Sequence, residues 1–269
     1  MEIQTGKALR QTIASPIALI ALVVFAGAAG IAGAIAVSGA VGAAAAAGAA
    51  LFWFLTVLGV AYNRANKTFY AAYAQQRGLN WQRHSAVAAA TPLLRRGDTR
   101  RIDESFTGTL PGGLAGELAL YSYEERSYAG TSGQTKEIHH FTIVLSALPG
   151  MESRLPGLFV QRRSGFRFLD GAEDVFRSTE RIELESEVLD RKCEIFADKG
   201  CDANWLRQLF TPTFVDFLAE ESPEGFAFEV ENGMLCVNVN RYRGKADELD
   251  EICAAASEVA KRITEEAAE

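Results

Sequence analysis

The stretch that decides the fold is FAFEVENGMLCVNVNR, Phe226–Arg241. Its centre, Asn232-Gly233, is the preferred dipeptide for a two-residue type I′ turn, because both central residues of that turn need positive φ. Counting outward pairs Val230 with Leu235, Phe228 with Val237 and Phe226 with Val239. Successive strand residues alternate between faces, so these apolar side chains share one face. The other face carries Glu229, Glu231, Asn238 and Asn240, which predicts a half-buried antiparallel hairpin with a wet side.

The surrounding segments agree with a sheet-based unit. Upstream, Glu104–Leu110, Glu117–Tyr128, Ile138–Leu148, Leu158–Arg162, Arg181–Ser186 and Cys193–Ala197 read as strands. Pro111-Gly112-Gly113 makes a turn, and residues 129–137 form a polar loop tip. Asp202 is placed to cap a helix burying Trp205, Leu206, Leu209 and Phe210. Thr211-Pro212 then restarts a helix in the favoured cap-then-proline order, burying Phe214, Phe217 and Leu218. From Asp247, Leu249, Ile252, Cys253, Ala256, Val259, Ala260 and Ile263 recur at helical spacing. Strands and helices without βαβ alternation predict an α+β domain with an antiparallel sheet and a C-terminal helix.

The front of the chain is chemically different. Two apolar runs, Ile13–Val37 and Ala43–Tyr62, are separated only by Ser38–Gly42. A bilayer core of ~30 Å needs about 20 helical residues, so each run is long enough to span. The expected arrangement is a two-helix transmembrane hairpin with its turn at 38–42. The first run exceeds the 7–15 residues of a signal-peptide core, which disfavours cleavage. Ala26, Gly30, Ala34 and Ser38 repeat every four residues, a smooth face for helix packing within one chain or in a homo-oligomer. Neither span holds an Asp, Glu, Lys, Arg or His, which argues for an anchor and against a transporter.

Charge divides the chain into three expected parts. Residues 1–62 are nearly uncharged. Residues 63–101 hold Arg64, Lys67, Arg77, Arg83, Arg95, Arg96, Arg100 and Arg101, opposed only by Asp98. Residues 102–269 carry 17 Lys+Arg against 32 Asp+Glu, net −15. Basic residues beside a span stay on the cytoplasmic side, and Lys7 and Arg10 precede the first run. Both termini are therefore expected in the cytoplasm of a multi-pass inner-membrane protein. Arg64, Lys67, Arg77 and Arg83 are the candidates to meet anionic lipid headgroups, at roughly 1 kcal/mol each near the surface. Asn63–Arg77 reads as a helical continuation capped by Gly78. The acidic distal domain argues against nucleic acid as a partner.

No catalytic, cofactor or metal residue is assigned. His139 and His140 are adjacent on a strand and point to opposite faces, so that element cannot make them share a metal. Glu183, Glu185 and Glu187 alternate and are expected to line one strand face, as a solvated face or one able to gather a divalent cation, and Glu183, Glu185 and Asp198 are the candidates for a carboxylate-dependent hydrolase. Arg162-Arg163 and Arg95-Arg96 are candidates to pair phosphate. Cys193, Cys201, Cys236 and Cys253 form no Cys-x-x-Cys and read as small apolar residues.

Leu184-Glu185-Ser186-Glu187-Val188-Leu189-Asp190, Glu194-Ile195-Phe196-Ala197-Asp198 and Leu209-Phe210-Thr211-Pro212-Thr213-Phe214 with Leu218 resemble a family of uncharacterised bacterial membrane proteins. Tyr73 to Gly78 and Phe106-Thr107-Gly108 resemble its earlier landmarks, whereas Leu189 and Cys193 stand where that family has aromatics. The resemblance implies hydrophobic N-terminal helices joined to a cytosolic domain, and no activity. The expected role is a membrane-anchored interaction or sensor module that binds a protein or small ligand on the half-polar sheet. A membrane scaffold built on the small-residue faces and a membrane-associated hydrolase are the alternatives.

Overall fold

The computed structural model describes residues 9, 12, 13, 16–36, 39–128, 134–153, 155–163, 178–184 and 186–268. The chain divides into two compact units, Met1–Tyr73 and Ala74–Glu269.

The first unit contains α1, Pro16–Ala36, and most of α2, Gly39–Arg77. Alanine is the best helix former and the leucines that follow nearly match it, which carries α2 unbroken for 39 residues. Its stretch Ala43–Arg77 is long and apolar enough to cross a membrane, and Leu51, Phe52 and Leu55 are exposed along it. A two-helix transmembrane hairpin is not shown. In α1 the apolar stretch among the described residues is only Ile20–Ala29. Most of the expected turn is helix, because Gly39–Gly42 open α2; Val37 and Ser38 lie outside the described residues. The helix runs on past Tyr62 as expected and ends at Arg77, where Gly78 takes a left-handed φ of +66°.

Among the described residues the second unit is built on a nine-stranded antiparallel sheet. Its strands are β1 (Asn80–Arg83), β2 (Thr99–Thr109), β3 (Ala115–Tyr128), β4 (Gln134–Ala147), β5 (Gly157–Arg162), β6 (Thr179–Ile182), β7 (Cys193–Asp198), β8 (Ala227–Glu231) and β9 (Met234–Asn240). They lie in the order β1-β2-β3-β4-β9-β8-β5-β7-β6. The helices are α3 (Pro92–Arg95), α4 (Glu187–Lys192), α5 (Ala203–Leu209), α6 (Pro212–Asp216), which runs on as a π turn over Phe217–Glu221, and α7 (Ala246–Ala268).

The β8–β9 register is the one read from Asn232-Gly233: Val230 opposes Leu235 and Phe228 opposes Val237. Both turn residues have positive φ, +48° and +75°. Pairing outward puts Val144 opposite Val237 and Leu118 opposite Val144 on the same face. The α7 helix packs over β4 and β9, and Leu249, Ile252, Cys253, Ala256, Val259 and Ile263 are all buried. The caps form as expected. Asp202 Oδ1 accepts from the Asn204 amide at 2.8 Å, and Thr211 Oγ1 from the Phe214 amide at 3.3 Å.

The opposite face is not wet. Glu229 is 0 % exposed and Asn238 2 %. Residues 87–94 roof that face, where Leu93 and Leu94 join Tyr121, Tyr123, Phe141, Ile143 and Cys236 in one apolar cluster. Alternation alone cannot reveal this, because the covering segment comes from about 136 residues earlier. The basic stretch from Ala74 to Arg101 accordingly belongs to the sheet unit.

Candidate functional site

The sequence candidates fall in separate places. Arg64 and Lys67 are exposed on α2. Arg77 forms a two-pronged ion pair with Asp250 of α7, its Nε 2.6 Å from Oδ1. Arg83 Nε is 3.1 Å from Glu104 Oε1. Of the small-residue positions, Ala34 is exposed and Ala26 partly so; the surroundings of Gly30, and Ser38 altogether, lie outside the described residues.

The acids do not share a strand face. β6 ends at Ile182, Glu183 follows it in an irregular stretch, and Glu187 opens α4, where the Ser186 hydroxyl accepts from the Leu189 amide. The strand expected over Arg181–Ser186 stops early because Ser186 is a better helix cap than strand residue. Glu185 lies outside the described residues. Asp198 Oδ1 accepts from the Gly200 amide at 2.9 Å, closing a turn. Among the described residues no group of three His, Cys, Asp or Glu side chains is placed to hold a metal. His139 stacks on Tyr123 and His140 meets Tyr242 edge-on, on opposite faces as their spacing predicts.

Two places in the sheet unit bring chemistry together. The first lies under the roof. Pro92 opens the one-turn helix α3, and Glu229 supplies the acceptor that its own cap residue does not: the Leu93 amide donates to Oε1 at 3.1 Å and Oε2 at 3.3 Å. The Thr91 hydroxyl and Cys236 thiol lie beside the carboxyl. Burial pushes the Glu229 pKa up to about 8, since the charged form loses its hydration. At neutral pH the group is mostly the protonated acid. Burial likewise pushes the Cys236 thiol up, with Glu229 next to it acting in the same direction. The roof is fastened around this centre. Tyr121 Oη donates to the Leu93 carbonyl at 3.1 Å, and Arg95 grips Glu231 with bonds of 2.5 and 3.0 Å. Arg96 meets Glu125 at 2.7 Å and lies over the Tyr123 ring. A buried acid that satisfies an amide and is sealed from solvent does structural work.

The second place is open. A cavity of about 700 Å³ lies at one end of the sheet, lined by Arg162, Arg191, Lys192, Glu224, Arg241 and Arg243, with Asn240 beside them. Antiparallel register brings them there. Arg162 ends β5 opposite Cys193, the first residue of β7, so Arg191 and Lys192 at the end of α4 arrive next to it. Ala227, the first residue of β8, pairs with Asn238 near the end of β9, which delivers Glu224 and Arg241 to the same edge. Arg162 Nη2 donates to Ser222 Oγ at 2.7 Å, and its Nε is buried without a partner. Arg243 Nη2 donates to the Glu224 carbonyl at 3.0 Å. Lys192 reaches Glu220 at 2.7 Å and Arg191 reaches Glu187 at 3.0 Å. Sequence reading marked only Arg162 of this set, because the cations are spread over some eighty positions.

No protein-family model matches the chain, and no curated protein matches it. A solved structure, the crystal structure of the mycobacterial trehalose monomycolate transport factor A, TtfA, is similar at 8 % identity and a TM-score of 0.42. The alignment covers 76 % of this chain and 94 % of that one.

Proposed function

We propose that this protein is a membrane-tethered, non-catalytic binding module whose working part is the sheet unit. The observation that carries the reading is α2, with 35 apolar-to-amphipathic residues of span length and exposed Leu51, Phe52 and Leu55, running directly into the sheet unit. A helix this apolar and this exposed is stable in hydrocarbon and a liability in water. Its basic flank, Arg64 and Lys67, favours the cytoplasmic side for the sheet unit. With residues 13–37 as a second pass, both termini lie in the cytoplasm at the inner membrane. This is the arrangement that the resemblance to membrane proteins with cytosolic domains implies. The roofed face is closed to ligands, so binding belongs at the sheet's open end and not on the hairpin's polar side.

Cys201 makes the topology testable, because it is the one free cysteine that is not buried. A membrane-impermeant maleimide is expected to leave the protein unlabelled in intact cells and to label it after permeabilisation, with the chain remaining in carbonate-washed membranes. Labelling in intact cells, or release by carbonate, contradicts the reading.

A further inference from the structure

We propose that the cavity at the end of β5, β8 and β9 is a binding site for a phosphate-bearing anion. The proposal rests on reading the sheet unit as a binding module, and names what it binds.

Charge balance is the first ground. Residues 102–269 carry a net charge of −15, so cations there have carboxylates in excess to pair with. Around the cavity Lys192 and Arg191 use Glu220 and Glu187, and three arginines use none. Among the described residues Arg162, Arg241 and Arg243 have no carboxylate partner: Arg162 bonds a hydroxyl, Arg243 a backbone carbonyl, and the Arg241 guanidinium neither. Like charges gathered without counter-charge repel, and a multivalent anion relieves that repulsion. The Arg162 Nε beside the cavity is buried without a geometric hydrogen-bond partner.

Backbone geometry is the second ground. Arg241 has a φ of +66°, a conformation that side-chain-bearing residues avoid. It is held there from both sides. Its amide donates to the His140 carbonyl at 2.6 Å, and its carbonyl accepts from Thr142 Oγ1 at 3.0 Å. Thr142 Oγ1 in turn accepts from the Arg243 amide at 2.9 Å. One buried threonine thus fixes the backbone that carries both arginines to the cavity. Strain that is over-determined in this way is characteristic of ligand clamps.

Residue type and size are the third ground. Four of the five cations are arginines, whose planar fork matches phosphate oxygens in pairs. About 700 Å³ falls within the range of small-molecule sites. The anion is either a free phosphorylated small molecule or the phosphate of a lipid headgroup.

The test is calorimetric titration of the full chain in uncharged detergent, with inorganic pyrophosphate in one arm and dihexanoyl phosphatidylglycerol in the other. Dihexanoyl phosphatidylcholine is the reference for the lipid arm. Saturable binding of either probe is expected, at least tenfold weaker in Arg162→Gln/Arg241→Gln and unchanged in Arg207→Gln, a control at an exposed position of α5. The probe that binds names the source of the phosphate. Arg241 is exposed, so Arg241→Gln alone keeps the fold and is expected to weaken binding several-fold, should the double variant not fold. Binding of neither probe to the wild type, or equal weakening by Arg207→Gln, overturns the proposal. A chain that stays in carbonate-washed membranes but binds neither probe leaves the tether standing and removes only the anion site.

Discussion

The arginines of residues 77–101 and three of those at the cavity differ in what they meet. Arg77, Arg83, Arg95, Arg96 and Arg101 each find a carboxylate of the sheet unit: Asp250, Glu104, Glu231, Glu125 and Asp103. Arg100 instead donates to the carbonyls of Leu94 and Arg95. Arg162, Arg241 and Arg243 find no carboxylate among the described residues. The first set is a fastening, and within it Arg95 and Arg96 tie the roof across one face of the sheet. The second is left open in a unit with acid to spare. Along the sequence the first set is the conspicuous one, and in the fold the second is where binding capacity remains.

The closed side of this contrast breaks most visibly at Glu229. Its pKa rises from an ordinary 4.5 to about 8 on folding, so the native state binds the extra proton between those values. The stabilisation is complete below the unfolded value and is lost as pH rises through about 8. At about 1.4 kcal/mol per unit, the loss from pH 5 to pH 9 is on the order of 4 kcal/mol. Glu229→Gln keeps an oxygen for the Leu93 amide and cannot ionise, so it is expected to flatten that slope. Urea unfolding across pH 5–9 in neutral detergent, followed by Trp81 and Trp205 fluorescence, reads the difference. An unchanged slope in the variant means that the acid is not sealed.

Leu93→Ala removes a fully buried roof side chain and is expected to destabilise the sheet unit by about 3 kcal/mol in the same assay. A loss below about 1 kcal/mol would mean that the roof is only loosely seated. On the open side, raising NaCl from 50 to 500 mM is expected to weaken pyrophosphate binding about tenfold, since exposed charges are screened. A salt-independent affinity would point to a contact other than charge. The smallest effect belongs to Arg95→Ala. Its pair with Glu231 is half exposed, and such pairs are worth under about 1 kcal/mol. A larger loss would show the fastening itself to be a main source of stability.

The local parts of this fold were legible. Asn232-Gly233 gave the hairpin register, the stripe from Leu249 to Ile263 gave the buried face of α7, and Asp202 and Thr211 gave their caps. Each depends on residues within a turn or two of one another. The sealing of the second face was not legible, because Leu93 reaches Glu229 across 136 positions and no local pattern joins them. An alternating strand with Glu229 and Asn238 looks half wet until the segment that covers it is known. The cavity escaped for the same reason: antiparallel register, and not any motif, brings Arg162, Arg191 and Arg241 to one edge. Of the turn expected at 38–42, Gly39–Gly42 are helical, because the alanine run that follows draws them into α2.

The most direct measurement of the central claim is a pyrophosphate titration of two double variants of the full chain side by side. Arg162→Gln/Arg241→Gln takes two arginines from the open set, and Arg95→Gln/Arg96→Gln takes two from the fastened set. The account predicts that the first loses at least tenfold in affinity and the second stays within twofold of wild type. Equal losses in both would show that pyrophosphate responds to overall charge, and would contradict the distinction between fastened and open arginines.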